Sequence, residues 1–213
     1  MPEFATLLEG YRRFRREGYP AQRERYDNLA KHGQSPKLMV IACSDSRVDP
    51  AQIFDVDPGE IFVVRNVAAL VPPFETTPGL HGVSAAVEFA VNVLHVRQIV
   101  VMGHGMCGGC KAALTRELHG AAPGEGGFVA NWIGLLDSAR GPVIEGYGTN
   151  GRDAERAMER AAVRVSLDNL RSFPNVAARE RSGDLVLRGT YFAISDGVLH
   201  VLNPVTGEFV AQE

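Results

Sequence analysis

Two short apolar runs, each ending in residues that hold metals, limit what this chain can become. Leu38-Met39-Val40-Ile41-Ala42 reads as a buried strand and gives way at once to Cys43-Ser44-Asp45-Ser46-Arg47. Gln98-Ile99-Val100-Val101-Met102 is a second such run, ending in Gly103-His104-Gly105-Met106-Cys107-Gly108-Gly109-Cys110. In open α/β sheets ligands collect outside the carboxyl ends of the strands. The two strand ends therefore offer Cys43 from one loop and His104 with Cys107 from the next. Two thiolates and one imidazole are a zinc donor set, and three protein ligands leave the fourth position to water, as a catalytic site requires.

Between these runs, Asp57-Pro58-Gly59-Glu60 is a turn and Ile61-Phe62-Val63-Val64 another strand. Val83, Ala86, Val87, Ala90, Val91 and Leu94 then form a helical stripe that feeds the Gln98 strand. Strand, loop, strand, helix, strand predicts an α/β fold: a mostly parallel central sheet flanked by helices. Small residues from 108 to 113 let a helix begin directly behind Cys107. Further on, a helix is expected around Phe128, Trp132, Ile133, Leu135 and Leu136, then a glycine-rich connection from Gly141 to Gly151. A long helix with an arginine-laced outer face is expected over Asp153 to Arg171. Leu185-Val186-Leu187 and Thr190 to Ile194 read as strands, the latter joined to Val198–Leu202 as a hairpin through Asp196-Gly197.

Residues 1–32 form a helical arm, and residues 33–213 carry the zinc site. Phe4, Leu7, Leu8, Tyr11 and Phe14 lie at helical spacing and want a partner surface, and Gly18-Tyr19-Pro20 is expected to break the helix. The chain has 213 residues and 45% hydrophobic content, enough for one α/β core. A net charge of −3 gives no basic field for nucleic acid or an anionic membrane surface. No apolar run approaches the ~18 residues of a membrane span, and Met1-Pro2-Glu3-Phe4 does not open like a signal peptide. Three cysteines are too few for a disulfide framework and suit a reducing cytosol, so a cytoplasmic location is expected.

Cys43-Ser-Asp-Ser-Arg47 with His104-x-x-Cys107-Gly-Gly resembles the β-class carbonic anhydrases. The likeness runs from Gly33 to Leu114, through Gln34-Ser35-Pro36-Lys37, Val63-Val64-Arg65-Asn66 and Val71-Pro72-Pro73-Phe74. The resemblance implies a zinc enzyme that interconverts carbon dioxide and bicarbonate, with zinc-bound hydroxide as the attacking group. It implies Asp45 and Arg47 as a catalytic dyad, with Asp45 also able to swing onto the metal as a fourth ligand in a closed state. It places Phe62, Val67 and Phe89 along the carbon dioxide pocket, and the Gln34 side-chain amide and Gly108 backbone amide on bicarbonate. Some of these groups reach the metal from a neighbouring subunit, so a homodimer or higher even homo-oligomer is implied, with the arm packed on the neighbour.

Phe89 stands where plant-type members usually carry tyrosine, which removes a hydroxyl. Members regulated by bicarbonate carry tryptophan three residues before the first ligand cysteine. Here that residue is Val40, so the unregulated type is expected. Zinc with two thiolates and a neutral imidazole has no net charge and acidifies its water less than a three-histidine site, which leaves Asp45 as the helper. Cys110 completes a Cys-x-x-Cys with Cys107 and is read as a buried bystander rather than a redox partner. His32, His81, His95, His119 and His200 lack ligand-like neighbours, and His32 and His81 are candidates for relaying protons. Rival readings are hydrolysis of carbonyl sulfide or carbon disulfide at the same site, a non-catalytic zinc-stabilised assembly, and a thiol oxidoreductase.

Overall fold

Residues 3–212 are described by the computed structural model. Four parallel strands make the body of the sheet: β1 (Leu38–Cys43), β2 (Ile61–Asn66), β3 (Gln98–His104) and β4 (Val186–Ala193). β5 (Val198–Leu202) and β6 (Phe209–Ala211) add antiparallel, for the spatial order β2-β1-β3-β4-β5-β6. The continuous apolar runs follow from burial on both faces, where alternate side chains serve opposite sides. Val40, Ala42, Val100 and Met102 join one core cluster, and Met39, Ile41, Ile99 and Val101 the other. The Arg152–Arg171 helix contributes to both, with Met158 and Ala162 in the first and Val163 and Leu167 in the second.

β1 and β3 are neighbours, but the chain leaves β1 for β2 on one side and β3 for β4 on the other. Such a reversal opens a crevice at the carboxyl ends of the two strands. Cys43 closes β1 and His104 closes β3, so both sit at that crevice. The Gly108–Thr115 helix starts directly behind Cys107, as its small residues allow.

Three local expectations are corrected. Gly18-Tyr19-Pro20 does not break the arm: a widened helical turn over Phe14–Gly18, with Tyr19 N–H bonded to the Phe14 carbonyl, carries the helix past the proline. The bend comes at Gln22, before the Arg23–His32 helix. Gly141 to Gly151 is mostly not a connection, because Asp137–Tyr147 is a helix with Pro142 inside it, held by buried Val143. The segments around 186 and 192 are one strand, β4, whose turn to β5 does pass through Asp196-Gly197. The arm's apolar stripe is not covered by its own chain: no residue of Phe4–Arg13 is buried, and Phe4 is 74% exposed. Its second half is tied down, with Gln22 Nε2 bonded to Asp57 at 3.0 Å and Leu29 packed over Gly59.

Candidate metal centre

Cys43, His104 and Cys107 come together at the crevice, each buried, with one ligand atom apiece lying within 4.8 Å of the others. His104 Nδ1 is 2.9 Å from the Gly105 carbonyl, a contact that requires the proton on Nδ1. That tautomer leaves a lone pair on Nε2, which is buried and without a hydrogen-bond partner. An orphaned imidazole nitrogen beside two thiols is costly unless a cation takes it up, so the donor set fits zinc. The Cys107 thiol beside it, with burial, pushes Cys43 up to about 12. Cys107 is likewise pushed up to about 12, chiefly by the Cys110 thiol. A cation would draw such protons off, so metal binding here would release protons and weaken as pH falls. Cys110 is buried in the core cluster and stands outside the ligand group.

Asp45 also stands outside that group, because Arg47 holds it. Arg47 Nε and Nη2 donate to Oδ1 and Oδ2 at 2.9 and 2.7 Å, and the Arg47 backbone N–H donates to Oδ1 at 3.0 Å. These side-chain bonds keep the Asp45 carboxyl well below the usual carboxylate range, against the opposing effect of burial. Arg47 Nη2 also reaches the Met106 carbonyl at 3.0 Å, tying the Cys43 loop to the His104–Cys107 loop. Arg65 braces the first loop from β2, donating to the Cys43 and Asp45 carbonyls at 2.9 and 2.6 Å and to Asp49 at 2.9 Å.

A strained turn follows β2. Ala68 and Ala69 take φ of 63° and 55°, which costs an L-residue with a Cβ about 1–2 kcal/mol each. The turn survives because it is over-determined. The Asn66 side chain clamps Leu70 N–H and C=O at 2.8 and 2.9 Å, Trp132 Nε1 donates to the Val67 carbonyl at 2.8 Å, and Ser166 Oγ donates to the Ala69 carbonyl at 3.1 Å. Its tight fit explains Gly109: a Cβ there would lie 2.8 Å from Val67 Cγ1. Val67 thus sits over the first turn behind Cys107, and a Cβ at neighbouring Gly108 would meet nothing within 4 Å.

The remaining predicted substrate residues are not brought to this centre. Gln34 is exposed and precedes β1, whereas Cys43 ends it, and β1 alone spans about 17 Å at ~3.3 Å per residue. Phe62 pairs with Met39 near the start of β1, about 13 Å along the strand from Cys43. Phe89 packs on Phe62, ring centroids 5.8 Å apart, and is 42% exposed. Gln34 and the Phe62–Phe89 pair therefore lie toward the amino ends of β1 and β2. His32 and His81 are satisfied locally, by Asn28 at 2.7 Å and by the Thr77 carbonyl at 2.8 Å. His95 and His119 are exposed. His200 is half-buried, and its Nδ1 has no hydrogen-bond partner. Glu159, Arg152 and Tyr191, unremarked in the sequence, form a polar cluster against Cys107, with Glu159 and Tyr191 buried and Arg152 reaching in from the exposed surface.

The family model described as carbonic anhydrase matches residues 38–199. β carbonic anhydrase 3 of Arabidopsis thaliana is 37% identical over 192 residues, covering 90% of this chain and 73% of the relative. A carbonic anhydrase of Pseudomonas aeruginosa is 38% identical over 207 residues, covering 96% and 90%. Among solved structures, the β-carbonic anhydrase CcaA superposes with a TM-score of 0.88 at 33% identity, over 97% of this chain and 91% of that one. A Coccomyxa β-carbonic anhydrase in complex with acetazolamide gives 0.79 at 30% identity, over 95% and 87%. A family model matched over residues 38–199 and relatives 37–38% identical over 90% or more of its length show that the chain belongs to the carbonic anhydrase family, in its β class.

Proposed function

We propose that this chain catalyses the reversible hydration of carbon dioxide to bicarbonate and a proton, with zinc held by Cys43, His104 and Cys107. The observation that carries this reading is the unpartnered Nε2 of His104 beside two buried thiols. When bound, zinc supplies a Lewis acid that makes a nucleophile of water near neutral pH. Asp45 supplies orientation. Ionised and fixed by Arg47, it can only accept hydrogen bonds, and Oδ2 carries one donor where Oδ1 carries two, so a lone pair remains to align the attacking water. Turned to Arg47, the carboxylate stands outside the Cys43–His104–Cys107 group, which would leave a bound metal accessible to water. Carbon dioxide is small and apolar and needs a dry wall, which Val67 offers beside the Gly108–Thr115 helix. Bicarbonate is an anion, and the Gly108 amide in that helix's first turn has no intrahelical acceptor and suits it.

Gln34, Phe62 and Phe89 lie too far along the sheet to serve their own centre, so their place in the reaction is at a neighbouring subunit's centre. A homodimer, or a larger even assembly, is the working unit in this reading. The exposed arm stripe fits it, since Phe4, Leu7 and Tyr11 are more than half exposed on the single chain. No helix of the described residues is long and apolar enough to cross a membrane. The three unpaired cysteines suit a reducing compartment such as the cytoplasm.

Stopped-flow carbon dioxide hydration from about pH 6.5 to 9, with zinc quantified on the same sample, tests the reading. The expected result is one zinc per chain and a rate that rises with pH. Stoichiometric zinc with no hydration anywhere in that range contradicts it, and turnover of carbonyl sulfide or carbon disulfide instead would reassign the substrate.

A further inference from the structure

We infer that Glu159 is a positioning residue for the metal centre: clamped by Arg152 and Tyr191, its carboxylate fixes the backbone of Cys107 and so the direction of that ligand's sulfur. The inference rests on reading Cys43, His104 and Cys107 as the zinc site. Glu159 lies within the Arg152–Arg171 helix and is 1% exposed. Its Oε1 accepts the Cys107 N–H at 3.2 Å and Arg152 Nη1 at 2.8 Å. Its Oε2 accepts Arg152 Nη2 at 2.6 Å and the Tyr191 hydroxyl at 2.8 Å. The acceptor sites of the carboxylate are thus all used, so its orientation is fixed from four sides.

Cys107 needs such a partner. It caps the Gly108–Thr115 helix, where the chain supplies no intrahelical carbonyl for its N–H. The residue before it, Met106, sits at φ 57°, a left-handed conformation that a side chain with a Cβ adopts only when its surroundings impose it. Arg47 pins the Met106 carbonyl from one side, and Glu159 pins the next N–H from the other. The same cluster backs the histidine. A Cβ at Gly105, whose carbonyl sets the His104 tautomer, would lie 3.1 Å from the Tyr191 hydroxyl and 3.4 Å from Arg152 Nη2. One polar cluster, capped from the surface by Arg152, therefore rests against the backbone that directs two of the three ligands. Outer partners of this kind are worth about 10–100-fold in metal affinity.

The test is zinc affinity by chelator competition, paired with the thiolate-to-metal charge-transfer band of the cobalt-substituted protein, for Glu159→Gln and Tyr191→Phe. Both variants lose a polar contact in the cluster and both are expected to melt lower. Only Glu159→Gln is expected to weaken zinc, by about 10–100-fold, and to move the cobalt band, since Tyr191→Phe leaves the contact to Cys107 in place. Glu159→Gln that melts lower but binds zinc as tightly, with an unmoved band, overturns the inference. Should Glu159→Gln fail to fold, Glu159→Asp decides: it keeps the charge toward Arg152 but draws the carboxylate back from Cys107 by one methylene. Weakened zinc is expected there, and unchanged affinity overturns the proposal. If the unsubstituted protein itself holds no zinc, the metal-site reading falls and takes this inference with it. Normal zinc in the unsubstituted protein and in Glu159→Gln alike sinks only the role given to Glu159.

Discussion

Asp45 takes three hydrogen bonds from a single residue, Arg47, and that pairing sets both its charge and its direction. A carboxyl whose folded pKa is depressed stabilises the fold above its unfolded value, near 3.9, and the contribution is lost as pH falls through the folded value. Melting temperatures of the unsubstituted protein and Asp45→Asn should therefore differ at neutral pH and converge in strong acid. The difference should be modest, because the Arg47 side chain is 46% exposed and its pair with Asp45 is screened by water. Zinc should remain bound in Asp45→Asn while carbon dioxide turnover falls by about 100-fold or more, the loss expected when a positioned proton acceptor is removed. Full turnover in that variant would remove Asp45 from the reaction. Cys43, Asp45 and Arg47 were legible in the sequence because they share one loop at one strand end. Glu159 was not, since the helix around it reads as an arginine-laced outer face. Its one signal is positional: Glu159 lies four residues before Val163 and seven before Ser166, both buried, so a carboxylate interrupts the helix's apolar stripe.

At the scale of elements, the centre depends on how closely β3 approaches the Arg152–Arg171 helix. Gly103, next to the ligand His104, makes that approach possible: a Cβ there would lie 2.6 Å from Val163 Cγ2. Val163 is buried and short, with nowhere to retreat. Gly103→Ala should cost about 1–3 kcal/mol of stability, measured by urea unfolding, because added volume in a packed core displaces its neighbours. An unchanged midpoint would show that the helix sits more loosely than described. The sheet and its strand ends were readable from the apolar runs, as both faces of the central strands are covered. The misreadings fell on glycine and proline. Gly141-Pro142 looked like a connection and Gly18-Tyr19-Pro20 like a break, but neighbouring side chains and a widened turn keep both segments helical. Local propensity yields where tertiary contacts or a shifted hydrogen-bond register offset it.

On the scale of the whole molecule, the residues proposed for the reaction divide between the two ends of the sheet. Cys43, Asp45, His104, Cys107 and Gly108 cluster at the carboxyl ends of β1 and β3, while Gln34, Phe62 and Phe89 lie toward the opposite end. The order of Gln34, strand and Cys43 along the chain already implies that separation, but only the paired register shows Phe62 and Phe89 on the same distant side. A site shared between subunits can be tested by mixing. Cys43→Ser and Gln34→Ala are each expected to lose most activity as homo-oligomers. Denatured and refolded together with zinc, they should recover part of it, because a hybrid holds one centre with intact ligands and an intact Gln34 from its partner. Failure of the hybrid to recover activity, with its formation verified by native mass spectrometry, would return each centre to a single chain.

The most direct measurement is zinc K-edge X-ray absorption on the purified holoprotein near neutral pH. The account predicts two sulfurs at about 2.3 Å, one imidazole nitrogen near 2.0–2.1 Å and one further light atom, the signature of an open Cys₂His centre. A shell of three sulfurs would bring Cys110 onto the metal, and a shell without sulfur would place zinc elsewhere; either result contradicts the assignment of Cys43, His104 and Cys107.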